Sequence, residues 1–147
     1  MSNTPESFQQ VVPYLLYEDC RAALEFLSRA FGFSERLHYE NEAGTITHAE
    51  MRLGGRGVIF MGAPGPEYSG PGRDGRVTVE LYVYVDDVDD HYRRARAAGA
   101  VIRQEPADTA YGDRRYAAED LEGHHWFFAQ RVNEILPAEW GAVEATG

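Results

Sequence analysis

Several side chains in this 147-residue sequence have types and spacings that can do chemistry. His48 and Glu50 stand two apart in a run that reads as a strand, so both point to one face. An imidazole beside a carboxylate can act as an acid/base pair or supply two ligands to a metal. The same pair also fits a plain exposed strand face. Glu80 opens the run Glu80-Leu81-Tyr82-Val83-Tyr84, whose alternation sets one carboxylate and two phenols side by side. His124-His125 has the composition of a metal tract. Asp113-Arg114 can pair to hold a loop, or can contact a ligand. Other catalytic signatures are missing: there is no G-x-S-x-G, C-x-x-C or H-E-x-x-H, and Gly54-Gly55-Arg56-Gly57 lacks the Lys-Ser/Thr end of a phosphate-binding loop.

The elements that must position these residues follow from pattern. Residues 11–17 form a short apolar run, and Asp19 then stands at a helix N-cap position. Ala23, Phe26, Leu27 and Ala30 recur at helical spacing, and Gly32 supplies the stop. Strands are expected at 35–41, 45–53 and 58–61. A Gly- and Pro-rich stretch, 62–76, reads as a loop: either a mobile cover over a site or a plain linker. Beyond it the order recurs, with a strand at 79–85, a helix capped by Asp87 and ended by Gly99, and strands near 101–104, 114–119 and 125–130. The tail, 132–147, has helical potential around Val132 to Leu136. Tyr14 matches Tyr82 and Asp19 matches Asp87 at a spacing of 68 residues (82 − 14 and 87 − 19). One deletion in the helix then pairs Gly32 with Gly99, and the 68-residue register is expected to return at Ala49/Ala117 and Phe60/Phe128. An internal period of this kind decides architecture. It predicts an α+β fold of two tandem βαβββ units, about 10–62 and 77–131, in a single domain.

Composition narrows the function classes. Lys and Arg number 14 against 24 Asp and Glu, for a net charge of −10. That balance argues against nucleic acid, which needs a cationic footprint, and would favour a cationic small molecule. No apolar run approaches the ~20 residues of a membrane span. The lone Cys20 excludes an internal disulfide, and the polar start lacks signal-peptide features, so a cytoplasmic location is expected.

The repeated unit, the Asp-capped helix ending Ala30-Phe31-Gly32, the segment Pro13-Tyr14-Leu15, the run Tyr111-Gly112-Asp113-Arg114 and the stretch Asp120-Leu121-Glu122-Gly123-His124-His125-Trp126 together resemble the vicinal oxygen chelate superfamily. This is the glyoxalase, bleomycin-resistance and extradiol-dioxygenase group. The resemblance spans about residues 10–131 and implies two antiparallel sheets curled into a cup, with homodimerisation common. It also implies metal ligands on the first and last strands of each unit. Those four positions here hold Val12, Ile59, Glu80 and Phe127, only one of which has a donor atom, so no metal or other cofactor is expected. By alternation from these slots, the cup lining should include Tyr14, Tyr82, Tyr84, His125 and Phe127. His48, Glu50 and Arg52 should face inward too, with their repeat partners Tyr116, Ala118 and Asp120. Tyr111 and Arg114 are added as loop contacts. Trp126 and Phe128 should pack beneath the helices.

Two functions remain open at this stage. One is a metal-free binding protein that encloses a small cationic or aromatic molecule, as in antibiotic sequestration. The other is a glyoxalase-like lyase or isomerase, with or without a divalent metal. In it, Glu80 would be desolvated in the aromatic cup and would act as general base with His48 or His125.

Overall fold

The computed structural model describes Pro5 and residues 8–146. The first unit comprises β1 (Tyr14–Leu16), α1 (Cys20–Phe31), β2 (Ser34–Glu40), β3 (Ile46–Leu53) and β4 (Gly57–Gly62). A short helix, α2 (Pro71–Asp74), lies within the connecting loop. The second unit comprises β5 (Glu80–Tyr84), α3 (Val88–Ala97), β6 (Val101–Asp108), β7 (Asp113–Glu119) and β8 (His125–Arg131). The tail forms a single 3-10 turn at Pro137–Trp140, later than its apolar residues suggested, because Pro137 sets the first helical φ. Each unit makes a four-stranded sheet, in the orders β1-β4-β3-β2 and β5-β8-β7-β6. Both sheets are mixed rather than antiparallel: β1 runs parallel to β4, and β5 parallel to β8.

The helices start and stop where the local chemistry dictates. The Asp19 carboxylate accepts from the Ala22 N–H at 3.0 Å, and the Asp87 carboxylate accepts from the Asp90 N–H at 3.0 Å. Gly32 ends α1 in the left-handed region at φ +80°, a conformation that suits a residue without Cβ. Helix α1 does not serve its own sheet alone. Its Phe31 ring lies 5.5 Å from Trp126 and 4.7 Å from Phe128, both on β8. In return, Arg94 on α3 donates to the Arg29 and Ser28 carbonyls at the C-terminal end of α1, where a cation is favoured. The two units are therefore interlocked through one core.

At the centre of that core sits Asp120, 4% exposed. One carboxylate oxygen accepts from Tyr17 Oη at 2.7 Å and Trp126 Nε1 at 3.1 Å. The other accepts the backbone N–H groups of Glu122 and His124, at 3.0 and 3.1 Å. The next acid, Glu122, accepts the N–H groups of Glu18 and Asp19 at 2.7 and 3.0 Å. The β7–β8 turn thus clamps the β1–α1 junction of the other unit.

The register of the repeat differs from the expected one. Tyr14 pairs with Phe60, and Tyr82 with Phe127; Glu50 pairs with Phe60, and Ala117 with Phe127. Beyond the helices the offset is therefore 67 residues (127 − 60 and 117 − 50). The helical deletion is never compensated, and a slip of one residue turns a strand position to the opposite face. Ile59, expected in the cup, is 5% exposed in the core, and Phe60 takes its place on the open face. Tyr116, Ala118 and Asp120 are likewise turned inward against the helices. Tyr116 is fully buried and donates its hydroxyl to His91 Nδ1 at 2.6 Å, while His91 Nε2–H donates to the Phe31 carbonyl at 2.8 Å.

Two predictions follow from this core. Removing the Asp120 carboxylate (Asp120→Ala) leaves buried donors unmatched and should cost about 3 kcal/mol in urea unfolding. Burial lowers the His91 pKa below its ordinary 6.5, so the unfolded chain takes up that proton first and stability falls as the pH drops below about 6.5. The melting temperature should decline from pH 8 to 5.5, and His91→Gln should flatten that part of the curve.

Candidate functional site

Each sheet has one face packed on the helices and one open face, and the sheets do not close on each other. Tyr14 is 52% exposed, Tyr82 39% and Tyr84 54%. Between the units lies a cavity of about 480 Å³, walled by β1, the Tyr68–Val79 loop, Leu81, His124 and His125. The loop is more than a linker here. Glu18 holds the Gly70 N–H and Arg73, each at 3.0 Å. Gly72 meets Gly123 backbone to backbone, where a Cβ on Gly123 would come within 2.7 Å of Gly72. His124 belongs to this seam rather than to a metal site, since its Nε2–H donates to the Leu16 carbonyl at 2.8 Å.

The first open face carries a polar chain. The Tyr14 hydroxyl lies 2.8 Å from His48 Nδ1, and His48 Nε2 lies 2.9 Å from Glu50. Glu50 also takes Arg36 at 2.7 Å. The carboxylate fixes the imidazole tautomer, with Nε2–H donating, so Nδ1 accepts from Tyr14. Gly62 makes room for the phenol, since a Cβ there would come within 2.9 Å of the Tyr14 ring. This face is partly covered by the chain itself. Phe8 packs edge-on to Phe60 at 5.9 Å, with the Arg36 and Arg52 guanidiniums 5.0 and 5.5 Å from its ring.

The second open face carries the aromatic wall. Tyr82 lies 5.6 Å from Tyr84 and 5.8 Å from Phe127, and Tyr111 packs against Trp140 of the tail at 5.5 Å. Beneath the wall is Asp113, 1% exposed. Its carboxylate accepts from Tyr82 Oη at 2.7 Å, Tyr84 Oη at 2.8 Å and Arg131 Nε at 2.6 Å. Burial alone would raise the Asp113 pKa, but these three donors outweigh it and hold the carboxyl below its ordinary range. Burial and the bonds to Tyr111 and Asp113 push the Tyr82 phenol well up; burial and Asp113 also raise Tyr84, against the opposing pull of Arg131.

The remaining expected residues divide. Glu80 is 48% exposed at the start of β5, so it is not desolvated as the cup reading required. Its imidazole neighbour is His125, at 3.6 Å, while the partners of His48 are Tyr14 and Glu50. Arg114 contacts neither Asp113 nor the open face; it is spent on Asp89 of α3 and Asp108 of β6, both at 3.1 Å. The residue overlooked is its neighbour Arg115. Its guanidinium lies 4.3 Å over Phe127, 5.8 Å from Tyr82 and 6.0 Å from Tyr111. Alternation from Asp113 along β7, or the 67-residue offset that matches Arg115 to His48, would have found it.

The donor set does not fit the metal that the resemblance implies. With the register corrected, the four positions hold Val12, Phe60, Glu80 and Phe127, which offer one donor side chain where a divalent site needs at least three. Among the described residues no three His, Cys, Asp or Glu side chains converge.

These features accord with comparisons to known proteins. The model of the Glyoxalase/Bleomycin resistance protein/Dioxygenase superfamily matches residues 8–128, and the chain belongs to that superfamily. Its fold is similar to that of TioX from Micromonospora sp. ML1, with a TM-score of 0.69 and 37% identity over 84% of this chain and 99% of that one. A glyoxalase-related enzyme from Clostridium phytofermentans shares the fold at a TM-score of 0.65 and 11% identity, over 84% of this chain and 95% of that one. An uncharacterized protein of Mycobacterium tuberculosis is 31% identical over 128 residues, covering 84% of this chain and 75% of that protein. Among the described residues, no helix is long and apolar enough to cross a membrane.

Asp113 is testable apart from any ligand. Asp113→Asn should destabilise the protein by roughly 2 kcal/mol in urea. It should also bring phenol titrations down, read by ultraviolet phenolate absorbance, as Tyr82 and Tyr84 lose their anionic acceptor.

Proposed function

We propose that this chain is a cytoplasmic small-molecule-binding protein that holds a flat aromatic guest against the wall of Tyr82, Tyr84, Tyr111 and Phe127, without a metal, as in antibiotic sequestration. The observation that carries the reading is the buried Asp113, which fixes two of those rings by accepting both of their hydroxyl protons. A wall held in place before binding loses little entropy when a guest arrives. Of the two guest chemistries expected, the aromatic one has the better local support. The acids nearest the open faces already have cationic or imidazole partners, Glu50 with Arg36 and His48 and Glu80 with His125. The net charge of −10 remains a long-range bias towards cations. The cavity of about 480 Å³ at the seam is a separate hollow, lined by none of the wall's rings. Homodimerisation is part of this proposal, supported by the edge strand β2, exposed along its whole length and presenting Leu37 and Tyr39.

A second reading, a lyase or isomerase, draws on the chain Tyr14–His48–Glu50, in which a carboxylate-oriented imidazole faces an exposed phenol. Such an arrangement can pass a proton to and from a substrate. Glu80 beside His125 offers a second acid/base pair. The two readings part on a direct measurement. A panel of planar aromatics is screened by thermal shift, and each binder is recovered and examined by mass spectrometry. Sequestration predicts stoichiometric binding of an unaltered guest, with Phe127→Ala weakening it about tenfold. Turnover that His48→Asn or Glu80→Gln abolishes while binding persists would give the site to the enzyme.

A further inference from the structure

We infer that Arg115 is the anchor for a carboxylate on the guest, so that the second open face selects planar aromatic acids. This rests on the aromatic-guest reading above and adds to it the ligand's charge.

Arg115 differs from the other arginines near this face. It is half-buried on β7, its guanidinium over Phe127 at 4.3 Å and within 6.0 Å of Tyr82 and Tyr111. Among the described residues it makes no ion pair and no side-chain hydrogen bond, although acids outnumber bases by 24 to 14 in the chain. Two nearby arginines are already engaged: Arg114, next in sequence, grips Asp89 and Asp108, and Arg131, paired with Asp113 across the sheet, grips Asp113. A guanidinium 4.3 Å over an aromatic ring spends no N–H group on it as a conventional hydrogen bond, and the guanidinium fork matches the two oxygens of a carboxylate.

The other polar groups of this face reinforce the choice. Tyr82 and Tyr84 donate to Asp113 Oδ2, and the Tyr111 hydroxyl lies 3.4 Å from Tyr82 Oη, where it can only donate because the Tyr82 proton is already committed. Tyr82 and Tyr84 therefore have no proton left for an incoming anion. Asp113 itself is buried beneath the rings with three donors satisfied, so it does not neutralise Arg115 from below. An acid whose ring lies on Tyr82 and Tyr84 can direct its carboxylate to the Arg115 fork. A neutral analogue would leave that fork with water, and a cationic one would meet like charge.

The test uses the full-length protein and three probes of one shape: 2-naphthoate, 2-naphthamide and 2-naphthylmethylammonium. Each is titrated at pH 7.5 by calorimetry and by Trp fluorescence. The expected result is naphthoate binding at least about tenfold tighter than naphthamide, with the ammonium weakest. Arg115→Gln should erase the acid-over-amide preference and leave naphthamide binding within about threefold, whereas Arg115→Lys should keep part of the preference. Equal wild-type affinity for acid and amide, or a preference that survives in Arg115→Gln, overturns the assignment of Arg115 alone. Failure of all three naphthalenes to bind overturns the aromatic-guest reading together with it. The wild-type comparison stands even if the variants fold poorly.

Discussion

The fold hangs on one buried carboxylate. Asp120 is the point at which two copies of a βαβββ unit become one domain, because it accepts from Tyr17 in the first copy and from Trp126 in the second. A carboxylate in an aromatic core is tolerable only when its lone pairs are occupied, and here four donors reach it, two from side chains and two from its own turn. Burial and the nearby Asp120 charge push the Tyr17 hydroxyl well above its ordinary range, so it stays a neutral donor. Everything at the seam follows from that clamp. The β7–β8 turn sits against β1, Glu122 reaches the start of α1, and the inter-unit loop folds over both.

Asp113 does for the second open face what Asp120 does for the core, with a different result. Its acceptor capacity is spent on orienting exposed phenols rather than on joining elements. Tyr82 and Tyr84 are thereby held in place at the cost of their hydrogen-bond donors, while Arg115 has no carboxylate partner among the described residues. On the proposed reading, recognition by shape and recognition by charge fall to different residues two positions apart on β7.

Much of this could be read from the chain. The duplicated pattern, the Asp19 and Asp87 caps and the Gly32 stop gave the order of elements, because each is a local signal. Trp126 and Phe128 were placed beneath the helices correctly, and Tyr14, His48, Glu50, Tyr82, Tyr84 and Phe127 do lie on open faces. The errors share one cause. Residues 49–60 match residues 116–127, one position earlier than the similarity of Ala49 to Ala117 and Phe60 to Phe128 suggested. That slip reversed Ile59 with Phe60, and it put Tyr116 on the open face. Arg114 was a different miss, a loop contact assigned without regard to alternation along β7. Sequence similarity between repeats rewards like residues, whereas the sheet rewards hydrogen-bond register, and the two diverge where a small residue recurs at adjacent sites such as Ala117 and Ala118. Glu80 was misjudged for another reason: its exposure depends on how far apart the two sheets stand, which no local pattern encodes.

The Phe8 ring lying over Phe60 gives the duplicated architecture an unequal division of labour. A tandem repeat begins with two equivalent surfaces, and here the chain's own Phe8 covers part of the first, which leaves less of that half open to a guest. On the proposed reading, change in what the molecule recognises can then accumulate in the later half, so homologues that differ in guest should diverge most along the strands from Glu80 onward.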